Sequence, residues 1–366
     1  MNQKKQSHIK KYTLIFIATM LFIACSDNKE VLIPFSSPAI DYWGRVDHSQ
    51  IDRADLSWSG SSIKINFEGE SIYATLKNDT RGNYLNIILD TDSIRIIKPD
   101  SIQKEYKLAS NLSKGKHSIE IFKRTNKGIT SFYGFNIKNK AKLLAKSAAK
   151  KRKIEFYGNS ITAGYAIEDT SGKDNPRGTN TNNYKTYAAL TARHFDANYR
   201  AISKSGIGVT ISWFPLIMPE MYDRLISDDP TRKWDFSLYQ PDIVVVNLFQ
   251  NDSWLVNYPE RKEFKTYFGD KAPDDSYLIN AYQNFISSLR KHYPKAKIIC
   301  TLGAMDAAKK GSKWMNYIEK AVENLNDNDV FAHFMPYLET SGHPLVQENK
   351  VMAKSLIQFI DKNIEW

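Results

Sequence analysis

The sequence is poor in the residues that build metal sites and disulfide-stabilised folds. It has two cysteines, Cys25 and Cys300, and seven histidines in 366 residues. The histidine and paired-cysteine spacings of zinc sites are absent, as are a phosphate-binding loop and a dinucleotide fingerprint. We therefore expect no metal and no cofactor, and a fold stabilised by packing rather than by an intrachain disulfide.

Long apolar runs are also absent, except at the N-terminus. Four lysines precede an apolar stretch at residues 12–24, which is too short to span a bilayer and is typical of a signal peptide. The stretch ends at Cys25, and polar residues follow, which resembles a bacterial lipobox. We expect residues 1–24 to be a lipoprotein signal peptide and Cys25 to be lipidated; ordinary cleavage beside an incidental cysteine is the alternative. The protein would then be exported and anchored to a bacterial membrane by acyl chains alone, on the periplasmic or cell-surface side of an outer membrane.

The charge is positive but gives no sign of a nucleic-acid partner. The net charge is +11, and the densest basic stretch, residues 141–153, ends in Lys150-Lys151-Arg152-Lys153. In an exported protein such a run indicates a solvated linker between domains. We therefore expect no nucleic-acid binding and a domain boundary at residues 141–153.

Residues 25–140 carry the pattern of a β-sandwich. Short segments alternate apolar and polar residues, as at Ile63, Ile65 and Phe67, and turn residues such as Glu68-Gly69 separate them. Evenly spaced strands with a period of two predict an antiparallel sandwich of jelly-roll type. The predicted strands are 62–67, 71–76, 84–89, 116–123 and 130–137.

Residues 154–366 alternate between strands and helices. The predicted strands are 154–157, 199–203, 242–248, 297–302 and 330–334, and the predicted helices are 184–195, 277–292, 313–325 and 346–360. Continuous apolar runs, as at 242–248, are typical of strands buried on both faces. This half is therefore predicted to be a flavodoxin-like α/β domain of three α/β/α layers with a five-stranded parallel sheet.

Polar residues collect just past the predicted strands of this sheet. Ser160 follows the first strand, Gly206 and Gly208 follow the second, Asn251 follows the third and His343 follows the fifth. Sites in open parallel sheets form at the carboxyl ends of the strands. A serine, amide donors and a histidine are the nucleophile, oxyanion donors and base of an acyl-transfer site. The alternative role for the serine is a helix N-cap.

The sequence blocks at these strand ends resemble a known family. Gly158-Asn159-Ser160-Ile161 is similar to the G-D-S-L block of the SGNH (GDSL) hydrolases, Asn251-Asp252 to their G-x-N-D block and Gly342-His343-Pro344 to the end of their D-x-x-H block. The stretches 154–165, 203–209 and 241–248 are most similar to carbohydrate esterase family 2. That family also places a jelly-roll before the hydrolase domain, so the resemblance covers nearly the whole mature chain.

The resemblance implies a serine esterase that needs only water. Ser160 would be the nucleophile and His343 its base. The backbone N–H groups of Ser160 and Gly206 and the side-chain amide of Asn251 would bind the oxyanion, with Gly208 as the alternative glycine. The substrate would be an acetylated polysaccharide or oligosaccharide of xylan or mannan type.

This chain departs from the family pattern at two positions. Thr340 stands where the family has the aspartate three residues before the histidine, and Glu339 is displaced from that position by one residue. We therefore expect a Ser-His dyad in which a backbone carbonyl at Thr340 orients His343. Phe249 replaces the usual glycine of the G-x-N-D block and is expected to narrow or reshape the pocket. The candidate sugar-binding aromatics are Trp254, Phe249 and Tyr165, with Trp213 and Trp314 as further aromatics near the blocks.

Two other functions stay open at this point. A general short-chain esterase or lipase would use the same residues but prefer a different acyl length. A catalytically inactive glycan-binding surface lipoprotein is favoured by Thr340 and Phe249. The presence of Ser160, Asn251 and His343 together favours an enzyme, because a binding module has no need of all three.

Overall fold

The computed structural model describes residues 30–366, which form two domains with a shared interface. The predicted signal peptide and Cys25 lie outside the described residues. Within the described part of the chain, no helix combines the length and the apolar character needed to cross a bilayer.

The N-terminal domain is a sandwich of two six-stranded antiparallel sheets. One sheet contains β1 (Val31–Pro34), β3 (Val46–Asp47), β4 (Ala54–Leu56), β6 (Ser71–Asn78), β9 (Lys104–Ser110) and β11 (Thr130–Lys138). The other contains β2 (Asp41–Trp43), β5 (Ser62–Glu68), β7 (Leu85–Leu89), β8 (Ser93–Ile97), β10 (Lys116–Lys123) and β12 (Lys142–Leu143). Ile63, Ile65 and Phe67 of β5 face the core between the sheets, because alternate residues of a strand point to one face. The predicted sandwich is confirmed.

The boundary between the domains differs from the predicted linker. The strand β12 (Lys142–Leu143) pairs with β5, and Ala141 is buried in the sandwich core. The sandwich therefore extends into the predicted linker 141–153, and only residues 144–152 connect the two domains. The basic composition concealed this strand, because two residues are too few to show an alternating pattern.

The C-terminal domain contains the predicted five-stranded parallel sheet. Its strands are β13 (Lys153–Gly158), β14 (Asn198–Ser203), β15 (Ile243–Asn247), β16 (Lys297–Leu302) and β17 (Val330–Phe334), in the spatial order β14-β13-β15-β16-β17. All four pairings are parallel. This is the flavodoxin-like order 2-1-3-4-5, in which the first strand lies between the second and the third. Their carboxyl ends therefore meet at one edge.

Helices cover both faces of the parallel sheet. The helices are α1 (Ser160–Ala163), α2 (Tyr187–His194), α3 (Met218–Met221), α4 (Gln250–Leu255), α5 (Lys262–Phe268), α6 (Asp275–His292), α7 (Lys313–Leu325) and α8 (Val346–Asn363). Apolar residues of α2 and α8 pack on one face, and those of α6 and α7 pack on the other. The helix α2 begins three residues later than predicted, because the Thr186 hydroxyl caps it by accepting from the N–H of Ala189.

A buried arginine fastens the sandwich to the hydrolase domain. Arg45 is fully buried; its guanidinium donates to the carbonyl oxygens of Tyr222 and Arg224, at 2.5 and 3.0 Å, and pairs with Glu155. A buried charge is tolerated only where it is paired and hydrogen-bonded, so this contact strongly disfavours separation of the domains.

A second buried cation, Lys123 at the end of β10, supports the loop that follows it. Its Nζ donates to Oδ1 of Asn83 at 2.7 Å and to the carbonyl of Lys127 at 2.9 Å. Burial lowers the pKa of Lys123 to about 7, against a smaller opposing effect of Asp79. Two acceptors match the two N–H groups of the neutral amine.

This lowered pKa predicts a specific dependence of stability on pH. Between about pH 7 and about pH 10 the unfolded chain binds a proton at Lys123 that the folded chain does not, so the free energy of unfolding rises with pH in this window. The slope is at most about 1.4 kcal/mol per pH unit. Urea unfolding of wild type and Lys123→Met should show a difference in stability that shifts in favour of the wild type as pH rises. If the difference in free energy of unfolding between wild type and Lys123→Met stays constant with pH, the pKa of Lys123 is not lowered in the folded protein.

Candidate active site

Ser160 lies at a tight turn between β13 and α1. A Cβ on Gly158 would lie 2.1 Å from the Thr162 hydroxyl oxygen, so only glycine allows the strand to enter the helix this closely. The N-cap of α1 is Asn159, whose side chain accepts from the N–H of Ile161 at 3.0 Å. The capping role considered for Ser160 is therefore filled by its neighbour, and the Ser160 hydroxyl is available for another contact.

Both ring nitrogens of His343 make short hydrogen bonds. Nε2 lies 2.7 Å from Oγ of Ser160, and Nδ1 lies 2.7 Å from Oδ2 of Asp174. The backbone N–H of His343 donates to the other oxygen of Asp174 at 3.1 Å. These three side chains form the hydrogen-bonded series that activates a serine: the carboxylate fixes the imidazole, and the imidazole accepts the hydroxyl proton.

The expected dyad oriented by a carbonyl at Thr340 is wrong. The Thr340 hydroxyl donates to the carbonyl of Gly342 at 2.6 Å, whereas Nδ1 of His343 bonds to a carboxylate from a different part of the chain. Glu339 is exposed. Sequence reasoning missed Asp174 because it lies 169 residues before His343, on a loop without regular periodicity and outside the D-x-x-H block. Other aspartates on the same loop, such as Asp169, carry the same sequence signal.

The environment of Asp174 keeps its carboxyl ionised. Partial burial raises its pKa, but the side-chain hydrogen bond from His343, the charge of the imidazolium and the backbone N–H of His343 together outweigh burial and lower the pKa. A carboxylate that stays ionised at neutral pH stabilises the imidazolium that forms when Ser160 attacks.

Gly206 and Asn251 lie beside Ser160, as the oxyanion assignment requires. Gly206 has φ of +87°, a conformation that favours glycine, and it lines the same cavity as Ser160. The amide of Asn251 donates one proton to the carbonyl of Ile207 at 2.8 Å, and its oxygen accepts from Nε1 of Trp213 at 3.0 Å. One N–H of this amide remains for a substrate oxygen.

The alternative glycine, Gly208, is engaged elsewhere. Its N–H donates to the Ser212 hydroxyl at 2.9 Å. Asp252 holds the same loop by accepting from the N–H groups of Val209 and Thr210, at 3.0 and 2.7 Å. The geometry therefore favours Gly206 as the backbone donor. Asp252, the aspartate of the G-x-N-D block, shapes the loop that carries Gly208.

An open cavity of about 510 Å³ lies over Ser160 and His343. Trp213, Trp254 and Tyr165 line it, and the Tyr165 ring packs on His343 with centroids 4.4 Å apart. Trp254 is fixed at its edge, because Nε1 donates to Asp306 at 2.7 Å. The structure thus brings two of the three candidate sugar-binding aromatics to the site.

The expectation that Phe249 shapes the pocket is wrong. Its side chain is fully buried between Tyr282 and Trp314, at centroid distances of 4.7 and 5.2 Å, and lies in the core between the sheet and the helices α6 and α7. The residue has φ of +81°, which explains why the family has glycine at this position. Trp314 belongs to the same core and does not line the cavity.

The role of Asp174 can be tested with an isosteric change. Asp174→Asn should lower kcat for a simple acetyl ester by about 10²- to 10⁴-fold, because the amide removes the negative charge and permits the wrong imidazole tautomer. Glu339→Gln, which neutralises the carboxylate that precedes Thr340 in the sequence, should leave kcat within about twofold. Steady-state kinetics on both purified variants measures this. Wild-type turnover by Asp174→Asn would mean that another group orients His343.

Comparisons with known proteins agree with this architecture and site. Residues 42–146 match the N-terminal domain of carbohydrate esterase 2, and residues 156–345 match the GDSL-like lipase/acylhydrolase family. The cellulase/esterase CelE of Acetivibrio thermocellus is 33% identical over 343 residues; the match covers 90% of this chain, which spans 40% of that protein's length. An acetylxylan esterase / glucomannan deacetylase of Cellvibrio japonicus is 24% identical, with 96% of this chain and 98% of that protein covered.

Solved structures show the same two-domain arrangement. A family two carbohydrate esterase from Clostridium thermocellum, in complex with cellohexaose, is 33% identical with a TM-score of 0.77, covering 88% of this chain and 98% of that one. A family two esterase from Cellvibrio japonicus superimposes with a TM-score of 0.81 at 24% identity over 92% of this chain and 98% of that one. Together with the family matches, these likenesses identify the chain as a carboxylic ester hydrolase that belongs to carbohydrate esterase family 2, within the GDSL-like lipases and acylhydrolases.

Proposed function

We propose that the protein removes acetyl groups from hydroxyls of xylan- or mannan-type glycans by a serine acyl-enzyme mechanism. The observation that carries this proposal is the hydrogen-bonded series Ser160–His343–Asp174 at the wall of an open cavity. The relatives named for acetylxylan and glucomannan deacetylation support the substrate class.

The chemistry proceeds in two halves. Ser160 Oγ attacks the acetyl carbonyl while Nε2 of His343 takes the hydroxyl proton, and Asp174 stabilises the resulting imidazolium. The backbone N–H groups of Ser160 and Gly206 and the amide of Asn251 bind the oxyanion; one such donor is worth about 3 kcal/mol of transition-state stabilisation. The imidazolium returns the proton to the departing sugar oxygen. Water, deprotonated by His343, then releases acetate and restores Ser160.

The surroundings of the oxyanion donors favour a short acyl group. The Trp213 indole bonds to Asn251 and stacks with Arg261, whose guanidinium carbon lies 4.6 Å from the ring centroid. A Cβ on Gly206 would lie 3.3 Å from Cβ of Trp213, so the tryptophan packs directly beside the proposed oxyanion donors. An acyl chain leaves the carbonyl carbon next to its oxygen, so we infer that a chain longer than acetyl contacts the Trp213 ring. Trp254 and Tyr165, which line the same cavity, offer aromatic surface for the sugar.

The inactive-lipoprotein alternative loses the two sequence features that favoured it. Asp174 supplies the carboxylate that Thr340 does not, and Phe249 is part of the core rather than an obstruction in the pocket. The general short-chain esterase or lipase remains the second candidate, because it would use the same hydrogen-bonded series with a different acyl preference.

Acetate release tests the proposal. Wild type should release acetate from acetylated xylan or glucomannan and from 4-nitrophenyl acetate, and should prefer the acetate over the butyrate ester by about tenfold or more in kcat/KM. Ser160→Ala and His343→Ala should lower kcat by about 10³-fold or more. Ser288 lies on the surface of α6, and the control variant Ser288→Ala should leave kcat unchanged.

Three outcomes separate the alternatives. Equal turnover of acetate and butyrate esters, without release from the polysaccharides, would replace the proposal by a general esterase. Release of nothing by folded wild type would contradict ester hydrolysis and favour glycan binding alone. Retained turnover in Ser160→Ala would exclude this serine as the nucleophile.

We also propose that the protein is exported and anchored by lipid at Cys25, with residues 1–24 as its signal peptide. The support is the basic and apolar order of these residues and the cysteine that ends them. Expression of the full chain in a bacterium with radiolabelled palmitate should give a labelled, membrane-bound protein, and Cys25→Ser should remove the label. Equal labelling of the two proteins would contradict the anchor.

A further inference from the structure

The loop that carries Asp174 is long and has no regular structure of its own. Residues 164–182 connect α1 to a single 3-10 turn at Asn183–Lys185, and Asp174 lies near the middle with φ of +52°. A segment of this length loses much conformational entropy when it adopts one arrangement. It must nevertheless hold the carboxylate within hydrogen-bond distance of His343, because catalytic groups misplaced by an ångström lose much of their effect.

Contacts within the loop order its tip. The carboxylate of Asp169 accepts from the N–H groups of Ser171 and Asn175, at 3.1 and 2.7 Å. The side chain of Asn180 donates to the carbonyl of Asn175 at 3.1 Å. These hydrogen bonds join loop residues only to each other. Contacts with the rest of the protein must therefore fix the position of the loop.

One buried guanidinium fixes the base of the loop. Arg124 donates from Nε to the carbonyl of Thr181 at 2.8 Å and from Nη2 to the carbonyl of Thr179 at 2.7 Å, and it pairs with the carboxylate of Glu168. Glu168 lies on the outgoing limb of the loop and the two threonines on the returning limb. The Arg124 side chain is 1% exposed, so its planar set of donors joins both limbs away from competing water.

This arginine belongs to the sandwich, not to the hydrolase domain. It directly follows β10, and its Nη1 donates to Oδ1 of Asn86 on β7 at 3.1 Å. The Asn86 amide in turn donates to Asn182 at 3.0 Å, and the N–H of Asn183 donates to the Arg124 carbonyl at 2.9 Å. The sandwich therefore contacts the returning limb of the Asp174 loop through both side chains and backbone.

We propose that Arg124 is a positioning residue for ester hydrolysis, through which the sandwich domain fixes the loop that brings Asp174 to His343. The hydrolase domain carries the nucleophile and the base, but the placement of its third member depends on the other domain. This inference rests on the proposed function, since it concerns the same site, and it gives the sandwich a part in catalysis that needs no contact with the substrate.

A double-mutant cycle tests whether Arg124 acts through Asp174. Arg124→Met should lower kcat for 4-nitrophenyl acetate by about 10- to 100-fold with KM within about twofold, because Arg124 does not line the cavity. In the Asp174→Asn background the same change should lower kcat by less than about twofold. Arg124→Lys should recover part of the loss, since it restores the charge but not the fork of donors. An equal loss in both backgrounds would overturn the proposal.

Arg45→Met is the matched control. Arg45 is also buried and also joins the two domains. Its partners lie outside the loop: Tyr222, Arg224, Glu155 and Tyr157. It should lower the thermal unfolding midpoint and leave kcat of the folded enzyme unchanged. A loss of kcat equal to that of Arg124→Met would assign the effect to domain docking in general and overturn the proposal.

Trypsin gives a readout that does not depend on activity. Lys173 and Arg177 are exposed within the loop, so release of its base should expose both bonds to cleavage. Arg124→Met should be cut there at least about tenfold faster than wild type or Arg45→Met; equal rates would overturn the proposal. If Arg124→Met does not fold, Glu168→Ala replaces it, because Glu168 is the partner of Arg124 and its side chain is partly exposed. Glu168→Ala should also lower kcat in the wild-type background and have little effect in the Asp174→Asn background.

The two proposals fail in different ways. If wild type hydrolyses acetyl esters but the effects of Arg124→Met and Asp174→Asn on kcat are additive, the proposed function stands and only the role of Arg124 is rejected. A folded wild type that hydrolyses no ester removes the proposed function and this inference with it, even if the loop is cut faster.

Discussion

The imidazole of His343 is the group on which the rest of the site depends. Its two nitrogens bond to Ser160 and Asp174, which lie 183 and 169 residues earlier in the chain. Neither partner can be brought there by local structure. The parallel sheet places Ser160, because β13 lies between β14 and β15 and its carboxyl end is at the same edge as theirs. Asp174 requires a long loop, and that loop requires support from outside the hydrolase domain.

The two domains form one packed unit around two buried arginines. Arg45 enters the hydrolase domain from the sandwich and meets Glu155, while Arg124 meets Glu168 at the base of the active-site loop. Apolar residues of the sandwich, including Trp58 and Phe122, belong to the same cores as the faces of the parallel sheet. Removing either partner of such a buried pair leaves an uncompensated charge, so these two ion pairs strongly favour one arrangement of the domains.

Patterns of local origin could be predicted from the sequence, and long-range ones could not. Period-two strands in the sandwich and apolar runs in the sheet gave the fold class, and helix α7 was predicted with its exact bounds. The positions of polar residues just past the strands predicted that Ser160, Gly206, Asn251 and His343 lie together, and these four residues line one cavity. Asp174 was missed because no periodicity marks a residue in an irregular loop. Phe249 was misjudged because a strand-end position does not say which way a side chain points when φ is positive.

The role of Ser160 as nucleophile is tested most directly by a crystal structure of the protein after reaction with a methylphosphonate ester that mimics acetyl transfer. We expect a covalent bond to Oγ of Ser160, with the phosphonyl oxygen about 2.7–3.1 Å from the N–H groups of Ser160 and Gly206 and from the Asn251 amide. Asp174 should remain bonded to His343. An adduct on another residue, or one on Ser160 whose oxygen faces away from these three donors, would contradict these assignments.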